Sequence, residues 1–241
     1  MNQAQAHRGP DDVGVEVLPF GRHFLGLGHR RLAILDLSPA GHQPMTHPAT
    51  GAWLVFDGEI YNFAKLRDEL EREREKFCGF GDIEVLLAGL LRHGNSFLNS
   101  LKGMFALAFY DARNGRLILS RDPAGIKPLY FARAESRLVF ASEVRALLAT
   151  RVVKPKLDRR GLAGFLAYGA VQHPYSLFRD MQSVPPGSTL EIALRADGEW
   201  TIAPPCRHWE YPRPDLHLTE AEAWPQVATL FEDAVRDLWM G

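Results

Sequence analysis

Three short stretches hold the residues best suited to chemistry. The first, His29-Arg30-Arg31-Leu32-Ala33-Ile34-Leu35-Asp36, brings a guanidinium. The second, Leu54-Val55-Phe56-Asp57-Gly58-Glu59-Ile60-Tyr61-Asn62, brings a backbone donor at a predicted tight turn, Asp57-Gly58. The third, Gly81-Asp82-Ile83-Glu84, brings a carboxylate. A guanidinium offers two parallel donors to a carboxylate. A glycine lets its backbone N–H approach a developing negative charge closely. This set suits a zwitterionic amino acid with a side-chain amide, such as glutamine. Cleaving that amide calls for a reactive nucleophile, and none stands at the start of the chain, where Asn2 follows Met1. Each residue also has a plainer role: a surface ion pair or phosphate contact for Arg31, a helix cap for Asp82, a turn for Gly58.

The elements that must position these residues follow from periodicity. Strands are predicted at 25–28 running into 31–35, and at 53–56, the latter ended by the Asp57-Gly58 turn signal. Residues 7–14 read as a turn-rich lead-in. Phe63, Leu66 and Leu70 recur at helical spacing, which predicts a helix over 63–77. A second helix starts near Asp82, where a carboxylate suits the helix dipole, and Gly94 is placed to stop it. The continuous apolar run Met104–Tyr110 predicts a buried strand, and 116–120 its partner. Further strands are predicted at 129–131 and 138–140. Ser142 is the expected N-cap of the helix that follows. Helix 158–168, then a hairpin of 189–193 with 199–202 across Asp197-Gly198, complete a layered α+β domain. Pro204, Pro205, Pro212 and Pro214 mark a linker over 204–218. Thr219 and Glu222 form a capping box for a last helix over 219–241. Its stripe of Val227, Leu230, Phe231, Ala234, Val235, Leu238 and Trp239 either folds back on the core or seals against another domain or chain.

The 241 residues are 46% hydrophobic and 24% charged, which argues for a globular fold. A net charge of -1 gives no reason to expect nucleic acid as a partner. No run approaches the ~20 apolar residues of a membrane span, and no signal-peptide core stands at the N-terminus. Cys78 and Cys206 lack metal-ligand spacing, so no metal is expected, and reduced thiols in a cytoplasmic protein are the expectation. Cys78 is expected as a small buried apolar residue.

The motifs H-R-G-P-D-D, G-H-R-R-L-A-I-L-D-L-S, G-H-Q-P-M, F-D-G-E-I-Y-N, G-M-F-A-L-A-F-Y-D, S-R-D-P-A-G-I-K-P-L-Y and F-A-S-E-V-R-A-L-L follow one another from His7 onward. In that order the chain resembles the class II glutamine amidotransferase domain of the glutamine-hydrolysing asparagine synthetases, over 1–203. The resemblance implies an N-terminal-nucleophile hydrolase fold, a four-layer αββα sandwich, and release of ammonia from L-glutamine for ATP-dependent amide formation from aspartate in a second domain. It places Arg31 on the glutamine carboxylate, Asp82 on the α-ammonium, backbone carbonyls near Ile34 and Leu35 on the amine, and Asp57 and Gly58 at the oxyanion. Leu32, Ala33 and Glu59 complete the implied glutamine-binding set. No cofactor is implied in this chain; ATP and magnesium belong to the synthetase domain.

Two departures bear on mechanism. The family's nucleophile is an N-terminal cysteine, with its own amino group as base. Here the resemblance implies that the leading strand and its cysteine are absent, so no catalytic residue is assigned and no glutaminase activity is expected of this polypeptide alone. The family usually has asparagine where Asp57 stands, though some divergent relatives carry aspartate, and an ionised aspartate accepts where the asparagine donates. Losing one such donor typically costs about 3 kcal/mol of transition-state stabilisation. The synthetase domain's pyrophosphate loop is absent too. The alternatives are a fragment of an asparagine-synthetase-like enzyme, a non-catalytic glutamine-binding or protein-interaction module (homodimers included), and an unfolded product. In the loop Arg121–Pro128, Arg121 and Asp122 are expected to pair with each other.

Overall fold

The apolar run predicted as a buried strand lies at the centre of the main sheet. A computed structural model describes residues 1–21, 23–34, 38–134, 136–195, 197, 199–214 and 217–239, Trp239 as backbone only. After a 3-10 helix, Asn2–Arg8, come β1 (Asp12–Phe20), β2 (His23–Arg31), β3 (Met45–His47) and β4 (Ala52–Ile60). Helices α1 (Phe63–Arg72) and α2 (Asp82–His93) lead to β5 (Gly103–Asp111) and β6 (Arg116–Arg121). Next are β7 (Tyr130–Ala134), β8 (Arg137–Ala141), α3 (Val144–Ala149) and α4 (Arg159–Tyr168). The chain closes with β9 (Met181–Ser183), β10 (Ser188–Leu194), β11 (Trp200–Ile202), β12 (Cys206–Arg207) and α5 (Glu220–Trp239).

The main sheet runs β11-β10-β6-β5-β4-β3, with β12 also on β10 and antiparallel pairing throughout. Side chains alternate across it. Leu54, Phe56, Ile60, Phe105, Leu107 and Phe109 pack with Leu66 and Leu70 of α1 and Ile83, Leu86 and Leu90 of α2. On the other face Trp53, Val55, Ala106, Ala108 and Tyr110 meet a second β layer through Leu18, Leu25, Phe131 and Leu138. That layer is in two pieces, the β1–β2 hairpin and the sheet β8-β7-β9. Ala146 and Leu147 of α3 cover the second piece, against Ala132, Ala141 and Met181. The layers therefore run helix, sheet, sheet, helix.

Several expectations change. Strand β4 does not stop at Phe56; it continues through Asp57, Gly58 and Glu59 to Ile60, paired with Leu107 back to Gly103. A Cβ on Gly58 would stand 2.1 Å from the Met104 carbonyl oxygen. The glycine there permits close strand approach, not a turn. Strand β2 ends at Arg31, and the predicted continuation through Leu35 reaches residues outside those described. Of the lead-in, His7 and Arg8 belong to the 3-10 helix and 12–14 begin strand β1, whose valines at 13, 15 and 17 alternate along its exposed face. Helix α1 ends at Arg72 because Arg74 adopts a left-handed φ of 71°. Glu143, not Ser142, caps α3, and its carboxylate engages His7 and Arg145 instead of the helix. Cys78 and Cys206 are both exposed free thiols, so Cys78 is not a buried apolar residue.

The capping box at α5 is present: Glu222 Oε2 accepts from the Thr219 amide at 3.0 Å, and the Glu222 amide donates to Thr219 Oγ1 at 3.4 Å. Its stripe is exposed at Val227, Leu230, Phe231, Val235 and Leu238, as is Trp224 before it, and does not fold back on the core. No helix among the described residues is long and apolar enough to cross a membrane.

Candidate functional site

The free edge of β4 is the backbone of the site. Alternate residues of a strand turn their N–H and C=O to the same edge. At Phe56 that edge is covered by the buried Gln43 side chain. The Phe56 N–H donates to Gln43 Oε1 at 2.7 Å, and Gln43 Nε2 donates to the Phe56 carbonyl at 3.0 Å. At Ile60 the N–H donates to Asp82 Oδ2 at 3.0 Å. Gly58 lies midway, and its partner across the ladder, Phe105, turns instead to Asp122. By the same alternation Gly58 directs its N–H and C=O to the edge between Gln43 and Asp82.

This edge opens on a cavity of about 950 Å³. Its lining includes Arg31, Leu32, Ala33, Ile34, Asp57, Gly58, Glu59 and Asp82. Eight of the nine residues expected to bind the ligand thus border one space; the ninth, Leu35, lies outside the described residues. Arg31 closes β2, and its Nη1 donates to the Ser38 carbonyl at 2.8 Å. Gly41 makes room for the guanidinium, since a Cβ there would stand 2.1 Å from Arg31 Nη2. The segment beyond Arg31 is pinned by Asp11, whose Oδ2 accepts from the Ala33 N–H at 2.8 Å. Leu32 and Ile34 are exposed, so they border the mouth of the cavity and are not core residues.

Asp82 is the first residue of α2 and is only 8% exposed. Burial pushes its carboxyl up to about 6, against the bonds from Ile60 and the start of its own helix, and neighbouring Glu59 adds to the rise. It is an under-compensated acid facing a cavity. Asp57 has the opposite setting. Its side chain leaves β4 on the face toward the second β layer and meets two cations, Arg8 Nη2 at 2.8 Å and Lys127 Nζ at 3.3 Å. Burial favours its neutral form, but Lys127 and Arg8 outweigh burial and hold it below the ordinary carboxylate value. Asp57 is therefore ionised and neutralised locally.

Arg8, Lys127, His29, Gln43 and Asn2 also line the cavity and were not singled out in the sequence. His29 lies two residues before Arg31 in β2 and faces the Phe56 backbone. Burial pushes its pKa down to about 4 despite the nearby Asp57 carboxylate, so its imidazole is neutral at pH 7. Arg8 and Lys127 lie in the H-R-G-P-D-D and S-R-D-P-A-G-I-K-P-L-Y motifs, as Gln43 lies in G-H-Q-P-M, but only the fold brings the two cations together at Asp57.

The loop after β6 is self-contained. Arg121 donates to the carbonyls of Lys127, Gly125 and Val184 at 2.6, 2.6 and 3.1 Å. Asp122 accepts from the amides of Phe105, Ile126 and Lys127 at 3.2, 2.9 and 2.9 Å. The two side chains thus satisfy backbone groups and do not pair with each other as expected. Among the described residues no three His, Cys, Asp or Glu side chains gather as a metal site requires.

Comparison with known proteins places this architecture. A family model described as a glutamine amidotransferase domain matches residues 1–201, and the chain belongs to that family. It is similar to asparagine synthetase [glutamine-hydrolyzing] 1 of Bacillus subtilis (strain 168), 36% identical over 202 residues, covering 84% of this chain and 31% of that protein. Asparagine synthetase [glutamine-hydrolyzing] 3 of the same strain is 30% identical over 238 residues, covering 98% of this chain and 37% of that protein. The chain spans about a third of the length of these relatives. Among solved structures, glutamine phosphoribosylpyrophosphate amidotransferase from B. subtilis, complexed with ADP and GMP, superposes with a TM-score of 0.59 at 20% identity. The match covers 87% of this chain and 46% of that one. At that identity the likeness concerns the fold, an N-terminal-nucleophile hydrolase sandwich of α+β class, as the sequence led us to expect.

Proposed function

We propose that this chain is the glutamine-binding part of an asparagine-synthetase-type amidotransferase and holds L-glutamine in the cavity beside β4. The observation that carries this is the shared space: Arg31, Asp82 and the Gly58 edge border one cavity. Arg31 takes the α-carboxylate through parallel donors. Asp82 takes the α-ammonium, which supplies the cation its burial lacks. Backbone groups of Leu32, Ala33, Ile34 and Leu35 complete the α-amino end. Gly58 meets the side-chain amide, with Asp57 and Glu59 beside it. Asp57 is no donor to an oxyanion; Lys127 and Arg8 cancel its charge, which reduces the repulsion that charge would exert.

Neither cysteine borders the cavity, and both are exposed. We therefore propose that these residues by themselves bind glutamine without hydrolysing it, and that ammonia chemistry and ATP-dependent amidation of aspartate belong to the longer arrangement seen in the relatives. The exposed α5 stripe is where a synthetase domain or partner chain would pack. A non-catalytic glutamine-binding module is the second reading, favoured by the same position of the two thiols. The free thiols suit the cytoplasm.

Calorimetry with glutamine tests the binding, and an ammonia assay against a denatured control tests the rest. Heat of binding without ammonia is expected. Absence of binding removes the proposal, and ammonia above the control overturns the inactive half of it.

A further inference from the structure

Helix α5 keeps a row of large apolar side chains in solvent. Trp224, Val227, Leu230, Phe231, Val235 and Leu238 are 44–69% exposed along it. The pattern of the row says what covers it. Trp224, Val227, Phe231, Val235 and Leu238 stand at steps of three, four, four and three. The average, about 3.5 residues, is the period of a seam between two helices. The steps read the same in both directions about Phe231. So do the residues: Val227 mirrors Val235, Ala228 mirrors Ala234, and the large Trp224 mirrors Leu238. A contact between identical surfaces about a two-fold axis requires this self-complementarity.

We propose that the exposed face of α5 binds α5 of a second copy of this chain, antiparallel, with the two-fold axis at Phe231. Each layer then takes one residue from each copy: Phe231 with Phe231, Val227 with Val235, Ala228 with Ala234, Trp224 with Leu238. The alanines leave room for the helices to approach. On one flank Leu230 meets its own counterpart. On the other Glu232 does, and that like-charge meeting weakens the pair. Covering these side chains on both copies buries about 1,000 Å², the threshold of a specific interface. A dissociation constant on the order of 10 μM is expected of such a contact. No described residue of α5 lines the cavity, so the proposal goes beyond the glutamine reading and does not rest on it.

Sedimentation equilibrium on the intact chain, at concentrations spanning the expected constant, reads the assembly. A monomer–dimer equilibrium is expected. A monomer throughout overturns the proposal, whatever else covers the stripe. Phe231→Asp sets two carboxylates against each other at the axis. It should weaken the dimer by about a hundredfold or more, with the glutamine calorimetry and the melt of the domain unchanged. A dimer that survives this substitution overturns the proposal. Glu232→Gln should tighten the dimer about threefold, and no tightening overturns the register. Cross-linking tests the direction of the helices. With the exposed Cys78 and Cys206 replaced by serine, chains carrying Val227→Cys should form a disulfide with chains carrying Val235→Cys in oxidising buffer. Chains carrying Val227→Cys alone should not. A disulfide between two Val227→Cys chains means parallel helices and overturns the antiparallel pairing.

Discussion

Asp122, behind β5, and Asp82, beyond the edge of β4, are both buried, at 0% and 8% exposure. Their surroundings differ. Asp122 accepts from three backbone amides and ties the end of β5 to the loop that Arg121 braces from the other side. Asp82 accepts from Ile60 and the first turn of α2, faces Glu59, and has its carboxyl pushed up to about 6 by burial. A satisfied buried carboxylate works as structure, because every bond it makes is one the backbone needs. An under-satisfied one beside a cavity carries a standing cost that a cationic ligand group can remove.

The comparison breaks first at Asp122. Replacing it with alanine leaves the buried Phe105 amide and the part-buried Ile126 and Lys127 amides without an acceptor, at up to roughly 1–3 kcal/mol each. We expect Asp122→Ala to lose about 4 kcal/mol or more of stability, enough to abolish a cooperative urea transition in a marginal domain. A loss under 1 kcal/mol would mean that water or a shifted loop replaces the carboxylate easily.

Asp82→Asn should separate function from stability. Asparagine keeps an oxygen for the Ile60 amide and discards the buried charge. Glutamine affinity is expected to fall by about 3 kcal/mol, roughly a hundredfold, as for truncating one partner of a buried charge pair. Stability at pH 7 should hold or rise, by about 3 kcal/mol at most given the size of the shift. Calorimetry and urea melts on the same preparation read both. A variant that binds normally, or one destabilised as Asp122→Ala is, erases the distinction between the two aspartates.

The same carboxyl sets a pH dependence. Asp82 has a folded pKa of about 6, above the ordinary aspartate value. Its contribution to the stability of the unliganded chain is fully present below the unfolded pKa of about 4 and is lost as pH rises through about 6. Ligand binding runs the other way, since the α-ammonium needs the ionised acid. Glutamine affinity should therefore be level above pH 7 and fall toward tenfold per unit below pH 6. Titrations between pH 5 and 8 check this, and Asp82→Asn should flatten the profile. A profile flat in the unaltered chain would place the ammonium elsewhere.

Much of this was legible in the sequence, for physical reasons. Strand β5 is apolar on both sides because helices cover one face and the second β layer the other, so its run needed no alternation to be seen. The α5 capping box was visible because it is local. The end of β4 was misjudged because Asp57-Gly58 is a turn signal in isolation; only the matching Gly103 on β5 shows that the glycine serves strand approach. Arg31 and Asp82 stood out as charged residues in short stretches suited to the two ends of a zwitterionic ligand. Arg8 and Lys127 lie in motifs too but drew no role there, because their meeting at Asp57 is made by segments far apart in the chain.

Gly41 offers the mildest test of the Arg31 side of the clamp. The atom a new Cβ would meet is the end of a flexible side chain, so Gly41→Ala should move the guanidinium and not the backbone. Stability should change by less than about 1 kcal/mol. Glutamine binding should weaken about fivefold, the scale of one weakened charge-assisted hydrogen bond. The pH profile should keep its shape, since Asp82 is untouched. That combination, a uniform loss with no change in pH dependence, distinguishes damage at the carboxylate end from damage at the ammonium end. If Gly41→Ala instead reshapes the profile, Arg31 and Asp82 are coupled through the protein and do not act as separate ends of one grip.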